Sequence, residues 1–117
     1  MIIKSDIFQV ERPWGNFRQF THNESSTVKI ITVKPNEILS LQSHKNRREF
    51  WHVISGSGFV EIGEIKKETT VGDEHEIMIG EKHRLSTGKD GIQVLEIATG
   101  DFEEDDIVHY EDKYGRV

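Results

Sequence analysis

Apolar residues in this chain fall in short alternating runs rather than in helical stripes. The run Thr27-Val28-Lys29-Ile30-Ile31-Thr32-Val33 is rich in β-branched residues and predicts a strand, closed by the turn residues Lys34-Pro35-Asn36-Glu37. Ile38 to His44 predicts a second strand, followed by a charged loop over 45–48. Phe50 to Ser55 and Gly58 to Ile62 read as paired strands around Ser55-Gly56-Ser57-Gly58, whose glycines suit a tight turn. Further strands are expected at Gly15 to Phe20, Glu76 to Ile79 and Ile92 to Ala98. Val71-Gly72-Asp73, Gly80-Glu81-Lys82 and Lys89-Asp90-Gly91 mark turns; polar 64–70 reads as a hairpin end, and 100–117 as a loop or short helix. No stretch sustains a 3.6-residue apolar period over the length of a helix. Many short strands spaced by about ten residues predict an all-β sandwich or barrel.

A length of 117 residues suits one domain spanning 1–117. The 21 acidic and 15 basic side chains give a net charge of -6, which opposes nucleic-acid binding and leaves room only for a local basic pocket. There is no cysteine, so any metal must be held by nitrogen and oxygen. Met1 to Asp6 lacks the apolar centre of a signal peptide, and no run approaches the roughly 18 apolar residues of a membrane span. A cytoplasmic protein without membrane contact is expected.

Chemistry concentrates in two segments. Gln42 and His44 are two apart and project to one face of their predicted strand, while Leu39 and Leu41 face the other. Glu49 opens the next strand after a short loop, so a hairpin-like return brings its carboxylate beside the imidazole. His83 adds a second imidazole from a distant point in the chain. Two neutral imidazoles, an amide oxygen and one carboxylate suit a divalent ion of the Zn, Mn, Fe, Ni or Co type. His22, His52, His75 and His109 lack comparable partners and are read as structural or surface residues.

These segments resemble the cupin signature, and the whole chain resembles more closely the type II mannose-6-phosphate isomerase domain found at the C-terminus of bifunctional isomerase/mannose-1-phosphate guanylyltransferases. The likeness is carried by Arg12-Pro13-Trp14-Gly15, Leu39-Ser40-Leu41-Gln42, His44, Arg47, Glu49, Trp51, His83-Arg84, Glu96, Glu104-Asp105-Asp106-Ile107-Val108 and Glu111-Asp112 with Tyr114-Gly115-Arg116. It spans residues 11–117 and omits the nucleotidyltransferase portion, so no guanylyltransferase activity is expected. The resemblance implies a cupin-type double-stranded β-helix, or jelly-roll barrel, with one divalent metal, zinc first, on Gln42, His44, Glu49 and His83. Departures stand at Asn36, Met78, Ala98 and His109; the last two bear on the substrate pocket.

The activity implied is metal-dependent interconversion of mannose 6-phosphate and fructose 6-phosphate through an enediol(ate). The alternatives are a non-catalytic cupin that binds a sugar or nucleotide-sugar, and a metal cupin with another small substrate. An isomerase needs a base, and Glu96, set in an apolar strand, is the candidate; the competing reading pairs it with Lys29 as a structural ion pair. Arg84, Arg47, Lys113 and Arg116 are candidates for phosphate, Arg84 foremost, with ion pairing to acidic surface groups such as Asp105 and Asp106 as the alternative for Arg84 and Arg47. Trp14, Phe50 and Trp51 either wall the pocket or fill the core. Related cupins use segments such as Arg12 to Gly15 to cover an edge strand or a partner subunit, which implies a homodimer.

Overall fold

Alternation along the sequence becomes ten strands and, among the described residues, no helix. The computed structural model describes residues 7–116; the first six residues, on which the leader reading rests, lie outside that range. In chain order the strands are β1 (Phe8–Arg12), β2 (Gly15–Gln19), β3 (Ser26–Val33), β4 (Leu41–Ser43), β5 (Arg47–Ile62), β6 (Ile65–Thr70), β7 (Glu74–Ile77), β8 (His83–Ser86), β9 (Ile92–Gly100) and β10 (Val108–Glu111). No helix is long and apolar enough to cross a membrane, among the described residues.

All pairings are antiparallel, and β5 organises them. Residues 47–56 of β5 lie between β9 and β7, and β3 extends that layer beyond β9. Residues 57–62 of the same strand pair with β6 and β8, and β4 and β10 follow beyond β8. One strand thus runs through both layers of the double-stranded β-helix. Inward side chains of the two layers make the core: Val33, Trp51, Val53, Val60, Ile77, Leu85, Ile92 and Val94. Phe50 and Ile97 face the other way and pack with Ile7, Phe20 and Leu95.

The paired strands expected at 50–55 and 58–62 are therefore one strand, and the glycine signal has another cause. Gly56 lies at φ +77, and a Cβ there would sit 1.9 Å from Gly91 O; one at Gly58 would sit 2.4 Å from Ser86 O. These glycines admit neighbouring backbone where β5 crosses between layers, rather than reversing the chain. The strand expected over 38–44 shortens to β4, with Ile38 bridged singly to Ser86. The tail is neither helix nor simple loop, because β10 pairs with β4. Asn36 adopts φ 58, the left-handed conformation its amide side chain tolerates.

The Pro13-Trp14 turn joins β1 to β2, with Arg12 opposite Gly15. Trp14 is 73% exposed at that turn and lies outside the lining of the cavity that holds His44 and His83, whereas Trp51 and Phe50 are buried. Arg18 ties the hairpin to the barrel through a two-pronged ion pair with Glu74, which also meets His52 Nδ1 at 2.8 Å.

Candidate metal centre

Strand alternation and one cross-strand pairing assemble the centre. Gln42 lies directly opposite His83 in the β4–β8 ladder. On β5, positions 47, 49, 51 and 53 share the inward face, which places Arg47, Glu49 and Trp51 beside the histidines. On β9, Glu96 faces the same interior opposite Trp51. They line a cavity of about 240 Å³ together with Lys29, Leu39, Glu104 and Ile107.

The ligating atoms of His44, Glu49 and His83 lie within 4.8 Å of one another, and all three residues are buried. Both imidazoles are oriented from behind. His44 Nδ1 donates to Asp106 O at 2.7 Å, and His83 Nδ1 donates to Glu81 O at 2.9 Å. Each neutral ring then has only a lone pair at Nε2, aimed at the cluster. His83 Nε2 lies 3.2 Å from Glu49 Oε1, and that oxygen is buried without a donor. Two acceptors at such a separation require a shared cation, either a proton on the ring or a metal ion. The donor set therefore fits a divalent metal.

Electrostatics bear on which cation is shared. Burial holds His44 below the ordinary imidazole value, favouring the neutral ligand form. Burial works against charge on Glu49 as well, but without a metal a second proton on His83, shared with the carboxylate, then the charges of His44 and Arg47, hold it below the usual carboxylate range. Gln42 donates its amide nitrogen to Ser40 Oγ at 3.2 Å, so the carbonyl oxygen is the atom it could offer to a cation.

Asp106 entered above as part of a motif and as a surface acid for ion pairing, yet it shapes the centre. Its carboxylate accepts from Lys45 N and Asn46 N, each at 2.9 Å, while its carbonyl takes the His44 proton. The only sequence signal was a polar residue 62 positions downstream, with nothing to say that the tail returns to this loop. Asp106→Ala removes the two backbone contacts that fix the loop. Metal affinity is expected to fall by roughly 10- to 100-fold, the usual penalty for losing an outer-shell partner, as read by competition with a chelating dye.

The expected cations separate into three groups. Arg47 enters the cavity: its guanidinium reaches Glu49 Oε2 at 3.2 Å, His44 Nε2 at 3.3 Å and Glu103 O at 3.1 Å. Arg84 borders the cavity but directs its donors to Leu39 O, Glu111 and Glu61. Lys113 pairs with Glu37, and Arg116 folds onto Asp112, outside the set of residues lining the cavity.

Glu96 and Lys29 are cross-strand neighbours, but Lys29 turns its ammonium to Glu104 at 2.8 Å. Glu96 accepts instead from Trp51 Nε1 at 3.0 Å. Burial, then the charge of Glu49, pushes Glu96 up to about 7, against the opposing pull of Trp51, Lys29 and Arg47. In the metal-free protein the folded state keeps a proton that the unfolded chain releases. The resulting stability is complete below the ordinary carboxylate value and is lost as pH rises to about 7. Glu96→Gln is expected to remove that decline, gaining about 1–3 kcal/mol on the parent between pH 5 and pH 8 in urea unfolding of chelated protein. Parallel pH profiles for the two proteins would refute it.

The profile of the family described as "Mannose-6-phosphate isomerase C-terminal" matches residues 4–112. The chain belongs to that family. It is 43% identical over 114 residues to "Mannose-1-phosphate guanylyltransferase ManC" of Salmonella typhimurium, covering 93% of this chain and 23% of the relative. It is 40% identical over 110 residues to "Alginate biosynthesis protein AlgA" of Pseudomonas putida, covering 92% and 23%. The chain thus spans about a quarter of the length of these curated relatives. A cupin protein from Bacteroides fragilis shares the fold at TM-score 0.60 and 24% identity, covering 69% of this chain and 74% of that one.

These relatives correct the isomerase expectation. Relatives with an activity in their names are mannose-1-phosphate guanylyltransferases, not isomerases, so mannose 6-phosphate isomerisation is not supported. Guanylyl transfer, the activity in those names, makes and breaks bonds at phosphorus and needs no proton moved between carbons. The family description names a domain rather than an activity of this chain.

Proposed function

We propose that this domain holds one divalent metal ion through Gln42, His44, Glu49 and His83 and binds a phosphorylated sugar or sugar nucleotide without transforming it, in the service of mannose-1-phosphate guanylyl transfer. One observation carries the metal: a buried carboxylate oxygen without a donor faces the lone pair of an imidazole whose proton is already committed. The guanylyltransferase names of the relatives support the ligand class.

A bound divalent ion would supply Lewis acidity toward sugar oxygens, since a single carboxylate leaves the centre net positive. The residues of this chain do the rest. Trp51 lies at a steep angle to His83, with ring centres 5.7 Å apart, and contributes apolar ring surface to the cavity lining. Lys29 and Arg47 bring positive charge to the same cavity. At about 240 Å³ the cavity suits a single sugar phosphate or the sugar end of a sugar nucleotide, below the usual range for drug-sized sites.

Elemental analysis of the purified protein, followed by calorimetric titration with mannose 1-phosphate and with the GDP-linked sugar that guanylyl transfer produces, tests the proposal. One metal per chain and sugar binding that disappears on chelation are expected. A chain that neither retains nor rebinds zinc or manganese would sink the metal centre. Absence of any response to both ligands would sink the binding role.

A further inference from the structure

Lys29 and Arg47 converge on one short piece of the 101–107 loop. Lys29 Nζ lies 4.3 Å from the ring centroid of Phe102, and Arg47 Cζ lies 4.2 Å from the same centroid. Glu103 gives its carbonyl oxygen to Arg47, and Glu104 gives its carboxylate to Lys29. Three successive residues thus offer two cations an aromatic face, a carbonyl and a carboxylate. Each is an electron-rich partner for positive charge.

We propose that Lys29 and Arg47 form an anion subsite at the mouth of the metal cavity, and that Glu104 fills it as an internal stand-in for the phosphate of a sugar phosphate. The subsite rests on the binding role above and assigns the phosphate to residues other than Arg84, Lys113 and Arg116, whose donors are taken by carboxylates of the chain.

Accessibility makes Glu104 displaceable. Its side chain is 78% exposed and that of Lys29 is 36% exposed, so water reaches the pair. Exposed ion pairs of this kind contribute little to stability, so an incoming anion replaces one at little cost. A phosphate brings more charge and three acceptor oxygens, enough to address an ammonium and a guanidinium at once. Arg47 is held by buried Glu49 and His44 through Nε and Nη2, whereas Nη1 meets only a loop carbonyl. Its exchangeable donor therefore points to the segment that carries Glu104. The loop is anchored two residues further on, where Asp106 clamps 45–46, so displacing Glu104 leaves the contacts that fix the metal loop in place.

Calorimetric titration of the metal-loaded full chain with inorganic phosphate and with mannose 1-phosphate tests the subsite. Glu104→Gln keeps the shape and removes the competing charge; it is expected to tighten both ligands by roughly threefold to tenfold. Lys29→Met is expected to weaken both by roughly tenfold or more and to erase the gain from Glu104→Gln. Unchanged or weaker binding in Glu104→Gln overturns the stand-in role. Phosphate affinity that survives Lys29→Met overturns the subsite, because the anion then sits on the metal. Glu104 is exposed, so its variant keeps the fold and decides the question even where Lys29→Met fails to fold. If inorganic phosphate responds as expected and neither mannose 1-phosphate nor the GDP-linked sugar binds, the subsite stands and the sugar-binding role falls. The reverse pattern, sugar binding indifferent to both substitutions, removes the subsite alone.

Discussion

His83→Ala is expected to abolish stoichiometric metal binding, raising the dissociation constant by more than about 100-fold, beyond what loss of an outer-shell contact does. Four ligands would fall to three, one of them the weak amide oxygen of Gln42. His83 is the more telling of the two imidazoles. His44 Nε2 also contacts Arg47 at 3.3 Å, so removing His44 leaves a guanidinium ready to neutralise Glu49. The Glu49 oxygen that faces His83 has no such second partner. Thermal unfolding with and without zinc gives the readout. At a zinc concentration 100-fold above its dissociation constant, the parent gains about 2.7 kcal/mol, and a variant weakened 100-fold gains about 0.4 kcal/mol. A zinc-induced shift of equal size in both proteins would remove His83 from the centre.

Much of that centre was legible in the sequence because strand periodicity is rigid. Gln42 and His44, two apart, must share a face, and Glu49 at the start of the next strand must return toward them. His83 was named from the sequence only as a second imidazole at a distant point in the chain, with no spacing to tie it to the others; the structure supplies the link, its register opposite Gln42. Charged side chains were much less legible. Lys29 is the cross-strand neighbour of Glu96, as pairing of two apolar strands suggested, yet its long flexible stem carries the ammonium to Glu104. Arg84 stands next to His83 in sequence, and for that very reason alternation turns it to the other face, toward Glu61 and Glu111. Contacts from residues 60 or more positions away, such as Asp106 to the 44–46 loop, leave no local trace at all.

The glycines of β5 show the same limit and lead to the largest expected effect on stability. Gly56→Ala is expected to destabilise the fold by roughly 2–5 kcal/mol, combining left-handed backbone strain with backbone overlap. The backbone there lies at φ +77, and the added Cβ would meet Gly91 O at 1.9 Å, Gly91 C at 2.9 Å and Ile92 Cα at 3.0 Å. All three are main-chain atoms, so no rotamer change relieves the overlap. Separation of the strands would break the Ser57 N to Gly91 O bond at 3.2 Å and disturb Val53 and Val60, the core residues on either side of the crossing. For a domain stabilised by about 5–15 kcal/mol this is a large fraction, and the midpoint of thermal unfolding should fall by roughly 10–25 °C. Two companions separate the causes. Gly72 has φ +89 with nothing within 4 Å of an added Cβ, so Gly72→Ala carries strain alone, about 1–2 kcal/mol. Gly58 lacks the positive φ but would meet Ser86 O at 2.4 Å, so Gly58→Ala carries overlap alone. A Gly56→Ala loss no larger than that of Gly72→Ala would mean that the backbone approach at this crossing is not what requires glycine, and that the local strand pairing differs from the one described.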